Sequence, residues 1–448
     1  MSLHLAATAS AVREAAPAWR QALQDELAHA RPLSLCGRVV EARGTLVRVA
    51  GLMAQIGDLC ELHLPDRSVR VAEVIGLLDD CALLMPHGEL TGLSIGMAVQ
   101  PLGRGHRILV GDGLLGRVLN GLGQPIDGRG PLACTRTTAV GAAAPSPLAR
   151  RPINQQFKTG VRAIDALTPL GEGQRVGVFA PAGVGKSTLA GMLVRAAQVD
   201  VCVVALIGER GREVGEFVRN TLGEEGLKRT VLVASTSDTS AAERVKSASV
   251  ATAIAEDFRD RGLRVLLVMD SLTRYARALR EVGLASGEPP TRRGFPPSVF
   301  AALPRLLERA GQGERGSITA IYNVLVEDDD DPIAEEVRSI LDGHLVLSRA
   351  LSQQAQFPAI DLLASLSRLM PVVSTPAQCE AVARVRAWLA KHREIELLLQ
   401  VGEYQAGSDL LADEAIAKLP RIRSFMAQSA NAVQCPVAGL QALMELAR

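Results

Sequence analysis

Arg175-Val176-Gly177-Val178-Phe179, running into Ala180-Pro181-Ala182-Gly183-Val184-Gly185-Lys186-Ser187-Thr188, decides the fold. The first five residues form a short apolar run of strand type. The residues after Thr188 put Leu189, Met192, Leu193 and Ala196 on one side of a helix. A strand, a glycine-rich loop with Lys-Ser, and a helix together make a phosphate-binding unit. Backbone N–H groups from Ala182 to Thr188 are expected to cradle phosphates, helped by the helix N-terminus. Gly183 and Gly185 permit the tight curl. Lys186 is expected to reach the β/γ-phosphates, and the Ser187 hydroxyl to ligate Mg²⁺. The usual pattern opens with glycine, and here Ala180 takes that place. A methyl is tolerable there if φ is negative.

Working outward, a second apolar strand, Leu263–Met269, ends in Asp270. An acid at the carboxyl end of a buried strand can hold the Mg²⁺ shell, directly or through water. A third strand, Val201–Ile207, leads into Gly208-Glu209-Arg210-Gly211-Arg212-Glu213. Glu209 is the candidate for orienting and polarising an attacking water. The bland alternative is a solvated charged turn.

The composition suits a soluble enzyme. The 448 residues are 48% apolar, enough for a large core and two to four domains. A formal net charge of +1 offers no global attraction to nucleic acid or anionic membrane. Aromatics are only 3%, too few for base-stacking platforms. Seven scattered cysteines without a CxxC pair read as reduced residues of a cytoplasmic protein. No apolar run approaches the ~18–20 residues of a membrane span. The acidic run Glu327-Asp328-Asp329-Asp330-Asp331 reads as a solvated loop, because consecutive carboxylates repel one another.

Four regions follow. Residues 1–30 carry Trp19, Leu23 and Leu27 on one helical stripe, which either packs on its own domain or docks a partner. Residues 31–99 hold short β-rich runs broken by Gly, Asp and Pro, as in a small β-barrel. Residues 100–370 alternate strands and helices around a parallel sheet. Residues 371–448 are helical, with periodic stretches at 378–400 and 413–428.

Several longer stretches carry a family resemblance. They are Gly208–Glu213, Asp270-Ser271-Leu272-Thr273-Arg274-Tyr275-Ala276-Arg277-Ala278, the run from Gly287 to Phe300 (GEPPTRRGFPPSVF), and Leu341-Asp342-Gly343-His344. The chain resembles the export ATPases of type III secretion, injectisome and flagellar members alike, with the injectisome branch favoured. That family is similar in fold to the catalytic subunit of rotary ATP synthases. The resemblance implies a RecA-like α/β core behind a β-barrel, an ATPase using ATP and Mg²⁺, and a homohexameric ring. It implies that Lys186, Glu209, Arg210 and Asp270 stand at the site and that Arg274 contacts the γ-phosphate. Phe357, at a position usually held by tyrosine, would pack on adenine, and Arg368 would be an arginine finger for the neighbouring subunit's nucleotide.

The same resemblance implies a central stalk protein, chaperone–cargo complexes, and a place at the cytoplasmic face of a bacterial inner-membrane secretion apparatus. The Trp19–Leu27 stripe would dock a peripheral, stator-like regulator. Three other classes share parts of this pattern. A rotary synthase subunit differs in the Thr291–Val299 stretch. A ring RNA helicase would want aromatics in its barrel, and residues 35–99 contain no Phe, Tyr or Trp. A non-hydrolysing structural subunit would be expected to lack Glu209.

Overall fold

The computed structural model describes residues 36–328 and 330–448. The Trp19–Leu23–Leu27 stripe lies outside the described residues.

Six strands open the described chain: β1 (Gly37–Arg43), β2 (Leu46–Ala50), β3 (Asp58–His63), β4 (Val69–Leu78), β5 (Cys81–Pro86) and β6 (Ala98–Gly105). They close into a barrel in the order β1-β2-β5-β4-β3-β6. Period-2 alternation fills it: Val47 and Val49 face inward while Arg48 between them is exposed. Val39, Leu62, Val74, Leu84 and Val99 complete the interior. The last strand spans the boundary expected at residue 99.

The middle of the chain supplies β7 (Arg107–Val110), β8 (Val118–Asn120), β9 (Arg136–Ala139), β10 (Gln156–Phe157), β11 (Leu170–Gly171), β12 (Arg175–Ala180), β13 (Val201–Glu209), β14 (Thr230–Thr236), β15 (Arg264–Asp270), β16 (Gly311–Gln312), β17 (Ser317–Leu325), β18 (Gly343–Leu347) and β19 (Ile360–Ser367). The main sheet runs β19-β18-β12-β17-β15-β13-β14-β8, with β16 beside β17. Every pairing from β18 to β8 along this order is parallel, and only the edge strand β19 and the short β16 run antiparallel. The main helices are α1 (Lys186–Ala196), α2 (Ala241–Asp260), α3 (Leu272–Ala285), α4 (Pro297–Leu307), α5 (Pro332–Ile340), α6 (Pro376–Val401), α7 (Leu410–Met426) and α8 (Pro436–Leu446).

Helices cover both faces, so the central strands are apolar without a break; all of β13 is buried. Its residues alternate between two cores. Val201, Val203, Ala205 and Ile207 join Val250 and Ile254 of α2, Tyr275 of α3 and Leu303 of α4 on one face. Cys202, Val204 and Leu206 join Leu189, Met192 and Leu193 of α1 on the other. α1 thus lies alone among the main core helices on one face, directly behind the phosphate-binding loop.

The carboxyl end is helical, as expected, and its caps explain its limits. Thr375 accepts from the N–H of Gln378 to start α6, and Gly402, at φ 74°, ends it. Asp409 accepts from the N–H groups of Leu411 and Ala412 to start α7. α8 was not foreseen from the periodicity; Leu443 and Leu446 pack it against Val385, Trp388 and Ile422.

Candidate active site

The carboxyl ends of β12, β13 and β15 converge, and the site is built there. After β12 the chain curls through Gly183 at φ 81° and Gly185 at φ 92°, both in the left-handed region that favours glycine. Lys186 then begins α1, whose first turn has no side-chain cap. Its N–H groups are left to an anion. Ser187 and Thr188 are exposed on this turn. Ala180 is the last residue of β12 and fully buried. Among the described residues, positive φ outside glycine occurs only at Arg67, Arg293 and Ala355, so the methyl of Ala180 sits without strain.

Lys186 Nζ lies 3.3 Å from Asp270 Oδ1, with both side chains largely buried. Asp270 ends β15, and its Oδ1 has no hydrogen-bond partner. A hydroxyl on the loop and the buried Asp270 carboxylate suit Mg²⁺, which takes few protein ligands and fills its octahedron with water and phosphate oxygens. Among the described residues no cluster of three or more His, Cys, Asp or Glu could hold a metal by itself. The acidic loop is used structurally: Asp328 pairs with Arg293 at 2.7 Å, and Asp331 caps α5.

Glu209 ends β13 just beyond a bulge, where the β13–β14 register shifts between Ile207 and Glu209. The bulge residue, Gly208, has φ 67°. Bulges re-aim the following side chain. Glu209 is turned toward Arg274, whose Nη2 is 3.2 Å from its Oε2. Arg274 Nη1 also donates to the carbonyl of Gly208. A Cβ on Gly208 would meet Arg274 Cδ at 3.0 Å. Burial pushes the Glu209 carboxyl up to about 7, a hydrogen bond with Glu213 and the Asp270 charge add to this, and Arg274 and Lys186 oppose it. A carboxyl poised near neutrality suits a group that must accept a hydrogen bond from water at working pH.

Four of the expected residues therefore come together: Lys186, Asp270, Glu209 and Arg274. Phe357 joins them at the loop, its ring 3.7 Å from where a Cβ on Gly185 would stand. The residue is 43% exposed, which leaves it accessible to a base. Arg210 does not join the cluster. It sits at the start of the next short helix, mostly exposed, and pairs with Glu213 at 3.7 Å.

Arg368 is apart as well. It follows β19, the strand that runs against the others, so Ser367 lies opposite Gly343, at the amino end of β18. The Arg368 N–H donates to Asp342 O, and the Asp342 N–H to Arg175 O. Arg368 is thus beside the start of β12, while the phosphate loop leaves its other end. Glu213, Gly208 and the Gly185–Phe357 contact were not singled out for this role from sequence. Only the positive φ demanded at a strand-to-loop glycine could have pointed to Gly208.

Each of the three described parts of the chain is similar to known proteins. The nucleotide-binding domain of the ATP synthase alpha/beta family matches residues 160–367, and the beta-barrel domain of that family matches residues 39–103. The T3SS EscN ATPase C-terminal domain matches residues 374–445. A type 3 secretion system ATPase of Xanthomonas euvesicatoria is 58% identical over 415 residues, spanning 92% of this chain and 94% of its own. The chain belongs to the type III secretion ATPase family. A flagellum-specific ATP synthase of Treponema pallidum is 49% identical over 408 residues, 90% of this chain and 91% of its own. The assembled ATPase EscN of enteropathogenic E. coli superposes with a TM-score of 0.87 at 46% identity, covering 92% of this chain and 100% of that one. The same protein in complex with its central stalk EscO superposes at 0.85, again at 46% identity and with the same coverage. The ATPase reading, the barrel–core–helix architecture and the link to type III export all stand on these likenesses.

Proposed function

We propose that this ATPase hydrolyses Mg²⁺–ATP at sites shared between neighbouring subunits of a homohexameric ring, with Lys186, Glu209, Asp270 and Arg274 as the chemical centre. The observation that carries this reading is the convergence of those four side chains at the carboxyl ends of β12, β13 and β15, paired at 3.3 and 3.2 Å. The loop N–H groups from Ala182 to Thr188 bind the phosphates, and Phe357 stacks on the adenine. Ser187 and Asp270 would hold Mg²⁺, which when bound neutralises charge on the phosphate oxygens. Glu209 accepts a hydrogen bond from a water and aims it in line at the γ-phosphorus. The water oxygen bonds to that phosphorus as its bond to the bridging oxygen breaks, the electron pair leaves with ADP, and the water's proton goes to the released phosphate or to solvent. Lys186 and Arg274 spread the charge that develops on the transferring group. Arg210 borders the site from its exposed position. Arg368 acts on the nucleotide of the neighbouring subunit.

The cycle would detach chaperones and unfold export cargo. The likeness to EscN bound to its central stalk EscO supports a stalk partner for this ring. Residues 1–30 would dock a peripheral, stator-like regulator. Among the described residues no helix is long and apolar enough to cross a membrane. In this reading the protein is cytoplasmic, reaches the bacterial inner membrane only through the secretion apparatus, and has no nucleic acid as a partner.

Lys186→Ala should abolish Mg²⁺-dependent turnover, and Glu209→Gln should bind ATP while barely hydrolysing it. Nucleotide affinity and single-turnover rate, measured together, separate the two roles. Wild-type turnover by Lys186→Ala would remove this loop as the active one.

A further inference from the structure

Asn323 occupies the place in the sheet between the two strands that make the phosphate site. It lies on β17, with Val178 of β12 on one side and Asp270 of β15 on the other, in parallel register. Residues in register on parallel neighbours face the same way. Ile321 and Val178, like Leu266 and Val268 of β15, belong to the core under α1. Period 2 therefore turns Asn323 and Asp270 toward the α1 face, about 5 Å apart across the sheet. An asparagine is a poor strand former and a poor filler for this core.

Its burial is unusual for its polarity. Asn323 is 1% exposed, and its Nδ2 has no hydrogen-bond partner. Asp270 Oδ1, the neighbouring group, also lacks a hydrogen-bond partner, although Lys186 Nζ stands 3.3 Å away. A buried donor left unpaired costs about 1–3 kcal/mol, and an apolar residue of the same shape would avoid that cost. The resting arrangement thus holds an unused donor beside an acceptor that is bound only by a charge.

We propose that Asn323 is a positioning residue for Asp270, a reading that rests on the nucleotide role given above to Lys186 and Asp270. In the free chain the Lys186 ammonium holds Asp270. When Lys186 turns to the phosphates, Asp270 Oδ1 loses the ammonium beside it. Asn323 Nδ2 then donates to Oδ1, keeping the carboxylate aimed at the metal shell while its other oxygen remains available. The donor is unpaired in the free chain because its partner is released only by nucleotide. Groups that orient metal-binding carboxylates typically change metal affinity or activity by about 10–100-fold.

Asn323→Leu is close to isosteric and tests this directly. The full chain should melt, without nucleotide, at the same temperature as the parent or higher. With ADP, its stabilisation should no longer increase on adding Mg²⁺, and kcat should fall about 10–100-fold with little change in the KM for ATP. Asn323→Thr, which returns a donor on a strand-favouring side chain, should recover part of both losses. A lower melting temperature for the nucleotide-free Asn323→Leu chain would make Asn323 an ordinary structural residue. So would an unchanged Mg²⁺ response or an unchanged kcat. Lys186→Ala run alongside keeps the two ideas apart: if it is inactive while Asn323→Leu behaves as the parent, only the positioning role falls.

Discussion

Arg274 holds Glu209 by an ion pair of 3.2 Å and at the same time grips the carbonyl of Gly208, the residue before it. The contact joins α3 to the end of β13 across 66 residues of sequence. Arg274 therefore does two things in the resting site. It keeps the Glu209 carboxylate from turning away, and it lowers a carboxyl pKa that burial and Glu213 raise.

The first prediction is a pH profile. In the proposed role Glu209 works ionised, and burial raises its carboxyl to about 7. Because the charged form is the working one, kcat/KM should rise with pH through the neutral range and level off above it. Glu213→Gln removes a neighbour that raises this pKa, so its rising limb should move to lower pH. A flat profile between pH 6 and 8 in the parent chain, measured at about 0.15 M salt, would contradict the water-orienting role.

A second prediction concerns Gly208. A side chain there is disfavoured twice: φ is 67°, and a Cβ would stand 3.0 Å from Arg274 Cδ. Gly208→Ala should cost about 1–2 kcal/mol of stability from the left-handed backbone alone. It should also push Arg274 off Glu209, and displacements of about 1 Å can cost about 10²-fold in rate. Thermal melting and kcat, measured together, check it: a small loss in melting temperature should accompany a large loss in kcat. Wild-type turnover would show that the close approach of Arg274 to Gly208 is dispensable.

Local signals made half of this site legible. The phosphate loop, Asp270 and Glu209 each sit where an apolar strand stops; that pattern nominates them, Asp270 only in company with the loop, while Arg274, Phe357 and Arg368 come from the family resemblance. The Ala180 departure was also decidable in principle, since it required only that the strand continue with negative φ. What escaped was set by strand order and packing. β17 lies between β12 and β15 in space but follows both in sequence, so the neighbour of Asp270 is Asn323, 53 residues later. The role of Glu213 depends on a helical turn placing it against a buried carboxyl. The reversed run of β19 comes from its antiparallel pairing with β18, and nothing in its composition tells of it.

Phe357 supplies a third prediction. Its ring lies 3.7 Å from where a Cβ on Gly185 would stand, and the residue is 43% exposed. Stacking of a base on an aromatic ring is worth about 1–3 kcal/mol by alanine substitution. Phe357→Ala should therefore weaken ATP binding by about tenfold while kcat at saturation changes little. Phe357→Tyr should bind as the parent does, since the hydroxyl adds nothing to the stack. Titration with a fluorescent ATP analogue reads both. Equal affinity for all three would leave the ring a packing element of the loop.

The last prediction follows from the reversed strand. Arg368 is tied through Asp342 to Arg175, at the start of β12. The phosphate loop leaves β12 at Ala180, five steps and about 16 Å further along. An arginine at one end of a sheet cannot serve a phosphate at the other end of the same sheet. If Arg368 is a finger, it acts on another subunit. Arginine fingers are worth about 10³–10⁵ in rate in well-studied nucleotidases. Arg368→Ala should therefore bind ATP with parental affinity, still assemble, and hydrolyse poorly, and parental activity should rise steeply with protein concentration. Mixing two inactive proteins, Lys186→Ala and Arg368→Ala, gives the sharper test. In mixed rings some interfaces pair an intact Lys186 from one chain with an intact Arg368 from its neighbour. Those interfaces should regain activity, in a proportion that depends on the mixing ratio and peaks between the pure proteins. Full activity of Arg368→Ala at concentrations where rings form would show that the site is complete within one chain.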